Sequence, residues 1–260
     1  MYRRTVNSMR PPLLLIAAAV VSVAVAAIPL LYLLVRTSSA GWNAVVEALL
    51  RDRTLETTIT SVALVTLVIV GCLLIAVPTA WLLARTNIPG RAFFLVMAAL
   101  PLAIPSYVMA YAWIAEFPSM SGIGAAALVM VLATYPYVAI PLTAALRSID
   151  AGHEEAAQSL GLGPLAVARR VTLPLAWPAA AAGVLLAALY TLSEFGTVAI
   201  FRVDAFTRVI YTAYRASFDR TTAVVLSLVL VFLALILVVI EARIRGKSQR
   251  WRIGSGVSRP

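Results

Sequence analysis

The sequence predicts an all-α fold, a polytopic transmembrane helical bundle of about six spans. Three observations carry that prediction. The composition is 62% hydrophobic and only 12% charged, with a mean hydropathy of +0.95, whereas a soluble domain is about half apolar and about a quarter charged. Six apolar windows are long enough to cross a bilayer core of about 30 Å, which takes about 20 helical residues. The basic residues fall between these windows and are unequal on alternate sides. A soluble bundle of buried helices would need far more charge to cover its surface.

The windows run over 13–35, 58–83, 92–115, 123–145, 176–200 and 221–241. The first follows Arg3, Arg4 and Arg10 and has the outline of a signal peptide. Its apolar run, Leu13 to Val35, exceeds the roughly 7–15 residues of a signal core. It is therefore expected to remain as the first span rather than be cut near Ser38–Ala40. The third and fourth windows are interrupted by Pro101, Pro105, Pro136 and Pro141, and Pro118–Gly122 joins them. Each proline removes a backbone hydrogen bond and bends its helix. Two connecting segments are more than turns. Trp42–Glu56 has the pattern of a short amphipathic helix, and Val203–Arg220 mixes Phe206, Tyr211, Tyr214 and Phe218 with arginines, as interfacial segments do.

Charge sets the expected orientation. With the N-terminus inside, fourteen basic residues face the cytoplasm: Arg3, Arg4, Arg10, Arg85, Arg91, Arg147, Arg169, Arg170, Arg243, Arg245, Lys247, Arg250, Arg252 and Arg259. Seven face outward and sit near Glu47, Asp52, Glu56, Asp204 and Asp219, which nearly neutralise them. Both termini are therefore expected to be cytoplasmic. The net charge of +10 belongs to this asymmetry, so no nucleic-acid partner is implied. One cysteine, Cys72, and one histidine, His153, lie in unlike surroundings. They support neither an intrachain disulfide nor a metal site. No nucleophile, base and acid set suggests catalysis.

The stretch Arg147–Leu175 is the longest loop on the cytoplasmic side. It contains Glu155-Ala156-Ala157, three residues, Gly161, nine residues, then Val171-Thr172-Leu173-Pro174. Two alanines make a small helix face that can lie close to another protein. Glu155 adds a charge able to pair with a basic group. Gly161 permits a sharp turn or a close approach. Val171 and Leu173 return the chain to apolar surroundings, and Pro174 suits the first turn of the fifth span.

This spacing resembles the EAA motif of type I ABC importer permeases, EAA-x3-G-x9-I-x-LP, with valine in place of isoleucine. The resemblance implies the type I permease fold, with the loop acting as a coupling helix. Its implied partners are a dimer of ABC ATPase subunits at the cytoplasmic face and a periplasmic or lipid-anchored solute-binding protein at the outer face. A second permease half and membrane lipid complete the surroundings, in a bacterial inner membrane. No cofactor is expected in this chain; ATP and magnesium would sit on the ATPase, and the permease itself would not be an enzyme. Gly246-Lys247-Ser248 mimics the end of a phosphate loop, but Glu241 stands where its first glycine should be.

Further segments are similar to ferric-iron permeases. They are Leu100–Tyr111, with Pro101, Pro105 and Tyr107; Ser193–Val198, with Glu194 and Phe195; and Phe201–Thr207. Sulfate, molybdate, thiamine and polyamine permeases share the EAA loop. The resemblance makes Pro101, Pro105, Tyr107, Glu194 and Phe195 candidates for the substrate pathway. For Pro101 and Pro105, a broken helix facing the pathway and a static packing kink both remain open. Glu194 reads as the only acid inside a span. It lies about 30 Å along the helix from Pro174, near the outer mouth. There it can meet a ferric ion, since hard cations favour oxygen ligands, or pair with Arg202 or Arg208.

The expected organisation is an N-terminal stub, first span and outer segment over 1–57, a permease core over 58–245, and a basic tail or linker over 246–260. Iron permeases of this type usually carry two homologous halves. One motif and no internal repeat suggest the N-terminal half of such a protein, or else a half-size subunit that dimerises. A membrane scaffold is the rival from another class.

Overall fold

A computed structural model describes residues 13–216 and 221–249. The described residues form twelve α-helices and no strand. In chain order they are α1 (Leu13–Ala40), α2 (Trp42–Leu50), α3 (Asp52–Arg85), α4 (Arg91–Ala99), α5 (Ser106–Glu116) and α6 (Gly122–Ser148). Then come α7 (Ala151–Ser159), α8 (Pro164–Val167), α9 (Leu173–Ser193), α10 (Gly196–Ile200), α11 (Phe206–Ala216) and α12 (Thr221–Gln249). Five helical stretches are long and apolar enough to cross a membrane. Arg91–Ala103 and Ser106–Glu116 together are also apolar and long enough, but they meet at 91°, the shape of a broken span or of a re-entrant loop.

The bundle is built around α6, most of whose apolar stretch is buried. On α3 the residues Leu64, Val68, Cys72, Ala76 and Ala80 recur every fourth position and are all buried. That spacing puts them on one face of the helix, against Ala126, Met130 and Val138 of α6 and Ala176, Ala180 and Ala187 of α9. Water exclusion does not drive such contacts in lipid, so close backbone approach must do so. Small residues permit it. A Cβ added to Gly183 of α9 would lie 2.3 Å from the Tyr137 carbonyl oxygen and 2.7 Å from the Val138 Cα. One added to Gly71 of α3 would lie 2.5 Å from a methyl of Val131. The buried hydroxyl of Thr134 donates to the Met130 carbonyl at 2.7 Å, so it adds no unpaired group to the core.

One face of the bundle carries α2, α11 and the first turns of α12. Val45 and Ala48 of α2 are buried against Val225, and Arg51 reaches both Glu47 at 3.0 Å and Thr222 at 3.2 Å. Phe206 and Val209 of α11 pack on Leu226, while Tyr211 and Arg215 stay outside. Both segments thus have the two-sided character expected of interfacial helices. The helix predicted over Trp42–Glu56 is shorter than expected: it stops at Leu50, Arg51 is extended, and Glu56 already belongs to α3. The opposite face carries α7.

For the third window the broken helix, one of the two readings left open, is what the structure shows, and two expectations for the fifth window are corrected. The third window is a broken helix, because a 3-10 turn over Leu100–Ala103 holds Pro101 and an extended Ile104 precedes Pro105. The residue before a proline is pushed out of the helical region by its ring. The fifth window is not one helix over 176–200: α9 ends at Ser193, and Glu194 is extended. Glu194 therefore lies at a helix end and not inside a span. Glu241 is a buried acid within a long helix; it is 5% exposed and pairs with Arg245 at 3.0 Å. α12 continues to Gln249 and takes in Gly246-Lys247-Ser248. By contrast, Pro136 and Pro141 leave α6 unbroken. Arg3, Arg4, Arg10, Phe218, Asp219, Arg220, Arg250, Arg252, Arg259 and the linker expectation lie outside the described residues.

Gly183→Val is expected to cost about 3 kcal/mol, at the upper end of overpacking effects, because backbone atoms must move. Gly124→Ala, with nothing within 4 Å of the added carbon, is expected to be neutral. Unfolding midpoints of the purified protein in mixed micelles check both.

Candidate functional site

The loop after α6 folds into a compact hook. Asp150 starts α7, its Oδ1 accepting from the Gly152 amide at 3.0 Å. Gly161 stops it. The Leu162 amide donates to the Ala157 carbonyl at 3.2 Å and the Gly161 amide to the Gln158 carbonyl at 2.8 Å. This paired closure needs a left-handed residue, and Gly161 has φ of 84°. Nothing lies within 4 Å of where its Cβ would be, so its glycine serves the turn and not a close approach.

The chain then re-enters a helix at Pro164, ten residues before Pro174. The expectation that Pro174 opens the fifth span is therefore corrected, since the helical path is continuous from Pro164 to Ser193. A proline inside such a path clashes with the carbonyl four residues back. The backbone widens into a π-helical turn over Ala168–Thr172 just before it, with the Leu173 amide donating to the Ala168 carbonyl. Such turns absorb an interruption that an α-helix cannot.

The motif residues divide between two sides. Ala157 is buried at 8% exposure, whereas Glu155 and Ala156 face outward. Val171 and Leu173 are half-buried, and Pro174 is exposed. Leu160 and Leu165 stand 85% and 73% exposed, beside a concavity lined by Leu165, Ala166, Arg169 and Arg170. Glu155 has no ion pair within the described residues. The acid that does is its neighbour. Arg85 of α3 pairs with Glu154: Nη1 donates to Oε2 at 3.3 Å, and Nη2 lies 2.7 Å from Oε1 as an ion pair without hydrogen-bond geometry. The buried Thr172 hydroxyl donates to the same Oε1 at 2.7 Å. Sequence reasoning passed over Glu154. The available signal was Arg85, a cytoplasmic-side arginine at the end of an adjacent span.

The pathway candidates partly converge. Gly196 sits so close to Tyr107 that a Cβ there would lie 2.6 Å from the tyrosine Cβ, and Glu194 Oε1 is within 3.3 Å of the same point. Glu194 accepts from the Thr197 amide at 3.0 Å, at the start of α10. Its backbone carbonyl accepts from the Thr207 hydroxyl at 2.6 Å. The expected pairing with Arg202 or Arg208 is absent; Arg208 pairs with Asp204 instead. The Phe195 ring lies 4.9 Å from that of Tyr211. Tyr107 is half exposed, and Pro101 and Pro105 bracket the break that turns α5 across the bundle. The structure adds Tyr190, whose hydroxyl donates to Ser106 at 2.9 Å. It sits one helical turn before Glu194, a spacing visible in the sequence. Among the described residues no three His, Cys, Asp or Glu side chains gather as a metal site.

Residues 76–245 match the family described as the binding-protein-dependent transport system inner membrane component. The chain belongs to this family. It is 34% identical over 233 residues to the Fe(3+)-transport system permease protein FbpB 2 of Haemophilus influenzae, a match covering 90% of this chain and 46% of that protein. The chain thus spans about half the length of that relative. It is 28% identical over 240 residues to a probable sulfate transport system permease protein of Helicosporidium, covering 82% of this chain and 86% of the other. A bacterial ABC transporter involved in import of the polysaccharide alginate shares the fold, with a TM-score of 0.66 at 18% identity over 92% of this chain and 96% of that one. The protein is accordingly a multi-pass membrane permease component with the type I ABC importer fold.

Gly161→Val forces a branched side chain into the left-handed region, at about 1–2 kcal/mol. Amide exchange across residues 157–163 is expected to quicken about tenfold, the ratio that 1.4 kcal/mol gives at 25 °C. Gly161→Asn, which tolerates that region, is expected to change little. Hydrogen exchange read by mass spectrometry checks the pair.

Proposed function

We propose that this chain forms one half of the membrane pathway of an ATP-driven importer for ferric iron. The observation that carries the proposal is the hook itself. It presents Glu155, Ala156, Leu160 and Leu165 outward while Glu154 anchors it to two membrane helices. An exposed apolar pair beside charged groups suits a protein partner, and an ABC ATPase dimer carrying ATP and magnesium is that partner. In this reading Glu155, Ala156, Ala157, Gly161, Val171, Leu173 and Pro174 form the coupling element. Closure of the ATPases pushes α7, and the bundle moves between inward-open and outward-open states. A solute-binding protein delivers substrate at the face carrying α2 and α11, and a second permease half completes the pathway.

The similarity to the Fe(3+) permease relative supports iron as the cargo. Pro101, Pro105, Tyr107, Glu194 and Phe195 then line the outer part of the pathway, where Glu194 offers an oxygen ligand that a hard cation favours. Similarity to the sulfate permease favours a second reading, an oxyanion importer. A pathway for a divalent oxyanion would be poorly served by a carboxylate at its mouth.

Cells expressing the complete transporter are expected to accumulate radiolabelled ferric iron, and cells lacking it to accumulate none. Uptake of labelled sulfate in place of iron would establish the second reading. In this reading α7 and both termini lie in the cytoplasm of a bacterial inner-membrane protein, which the inside-positive charge pattern supports. In a Cys72→Ala background, Ser159→Cys is expected to react with a membrane-impermeant maleimide only in inverted vesicles, and Trp42→Cys only from outside. The reverse labelling would overturn the orientation.

A further inference from the structure

We propose that Glu154 is a positioning residue that makes α7, the end of α3 and the start of α9 move together, with the π-helical turn as the compliant point it controls. The inference rests on the reading of α7 as the surface on which an ATPase docks.

Glu154 stands next to the motif acid but on the other side of α7, with 22% of its side chain exposed. On its carboxylate meet two groups that are 69 and 18 residues away in sequence. The Arg85 guanidinium holds the carboxylate by one hydrogen bond, Nη1 to Oε2, and by the charge of Nη2 beside Oε1, which fixes the distance between α3 and α7. The Thr172 hydroxyl then ties α9 to the same oxygen. The value of this arrangement is geometric, because ion pairs of such exposure add little to stability.

Without that carboxylate α7 is lightly held. Its one buried residue is Ala157. It joins α6 through Ile149 and Asp150 and reaches α8 through residues 160–163. A push on its outer face would bend those links before it moved a membrane helix. The far side is compliant as well. Thr172 closes the π-helical turn, and Pro174 gives no amide to the ladder that follows. A wide turn beside a missing donor is where a helical path yields most easily. Glu154 holds that point and α7 as one body. The structure thus assigns adjacent glutamates opposite duties, Glu155 facing the partner and Glu154 facing the membrane helices.

The test uses the complete importer in lipid nanodiscs, with and without ATP plus vanadate, read by hydrogen exchange. In the wild type, trapping is expected to change exchange in both 151–160 and 168–176. In Glu154→Ala and in Thr172→Val, the change in 151–160 is expected to persist. The change in 168–176 is expected to shrink about tenfold, within the range of coupling effects. Thr172→Val keeps side-chain shape and leaves the Arg85 pair in place, so it reads the tie without risk to the fold. The swap Arg85→Glu with Glu154→Arg is expected to restore the response, since a hydroxyl can accept as well as donate. A wild-type response in 168–176 in both single variants would overturn the proposal. So would loss of the response in 151–160, which would make Glu154 a docking determinant. No response at 151–160 in the wild type would overturn the docking reading and remove the basis for the tie.

Discussion

How closely α3 and α9 can approach α6 governs the rest of this structure. Lipid gives helices no reason to associate beyond fit, so contact distance decides stability. Gly183 lets α9 touch the backbone of α6 at Tyr137 and Val138, and Gly71 lets α3 close over Val131. The alanines between them keep the three helices in register along their length. Once that trio is set, the hook at one end and the α5–α10 junction at the other are fixed in relation to each other. Arg85 ends α3 and Thr172 borders α9, so Glu154 can reach both only because the two helices share a neighbour.

The same trio sets the opposite end. α9 stops at Ser193, and Glu194 turns the chain into α10 by accepting the Thr197 amide. α10 then lies against α5, which the break at Pro101–Pro105 has turned across the bundle. The Gly122 amide at the start of α6 donates to the Phe201 carbonyl at 2.8 Å, which closes the circuit on the central helix. The two ends thus share one scaffold.

Much of this was legible in the sequence, for identifiable reasons. Apolar length reports spans because a bilayer imposes one thickness, and α1, α3, α6 and α12 fell where the windows placed them. The motif reported its loop because the left-handed turn at Gly161 favours glycine. What stayed hidden depends on three-dimensional neighbours. Nothing in Glu154-Glu155 says which carboxylate turns inward; α3 decides it by presenting Arg85. Pro174 looked like the start of a helix because a π-helical turn leaves no compositional mark. Glu194 looked like an acid in mid-span because the windows averaged across a break only two residues long. Glu241 was not read as a buried acid because it lies where an apolar run meets a basic one.

α1 has 28 residues, and none of its most apolar stretch is buried. Its side chains answer to solvent rather than to neighbours. For such a helix the order of the apolar residues carries almost no information, since most permutations would dissolve equally well in lipid. α6 is the opposite case, because most of its apolar stretch is buried against other helices. Within one polypeptide, then, two spans of similar length and composition obey different grammars. One is a statement about the medium, and the other is a statement about the rest of the chain.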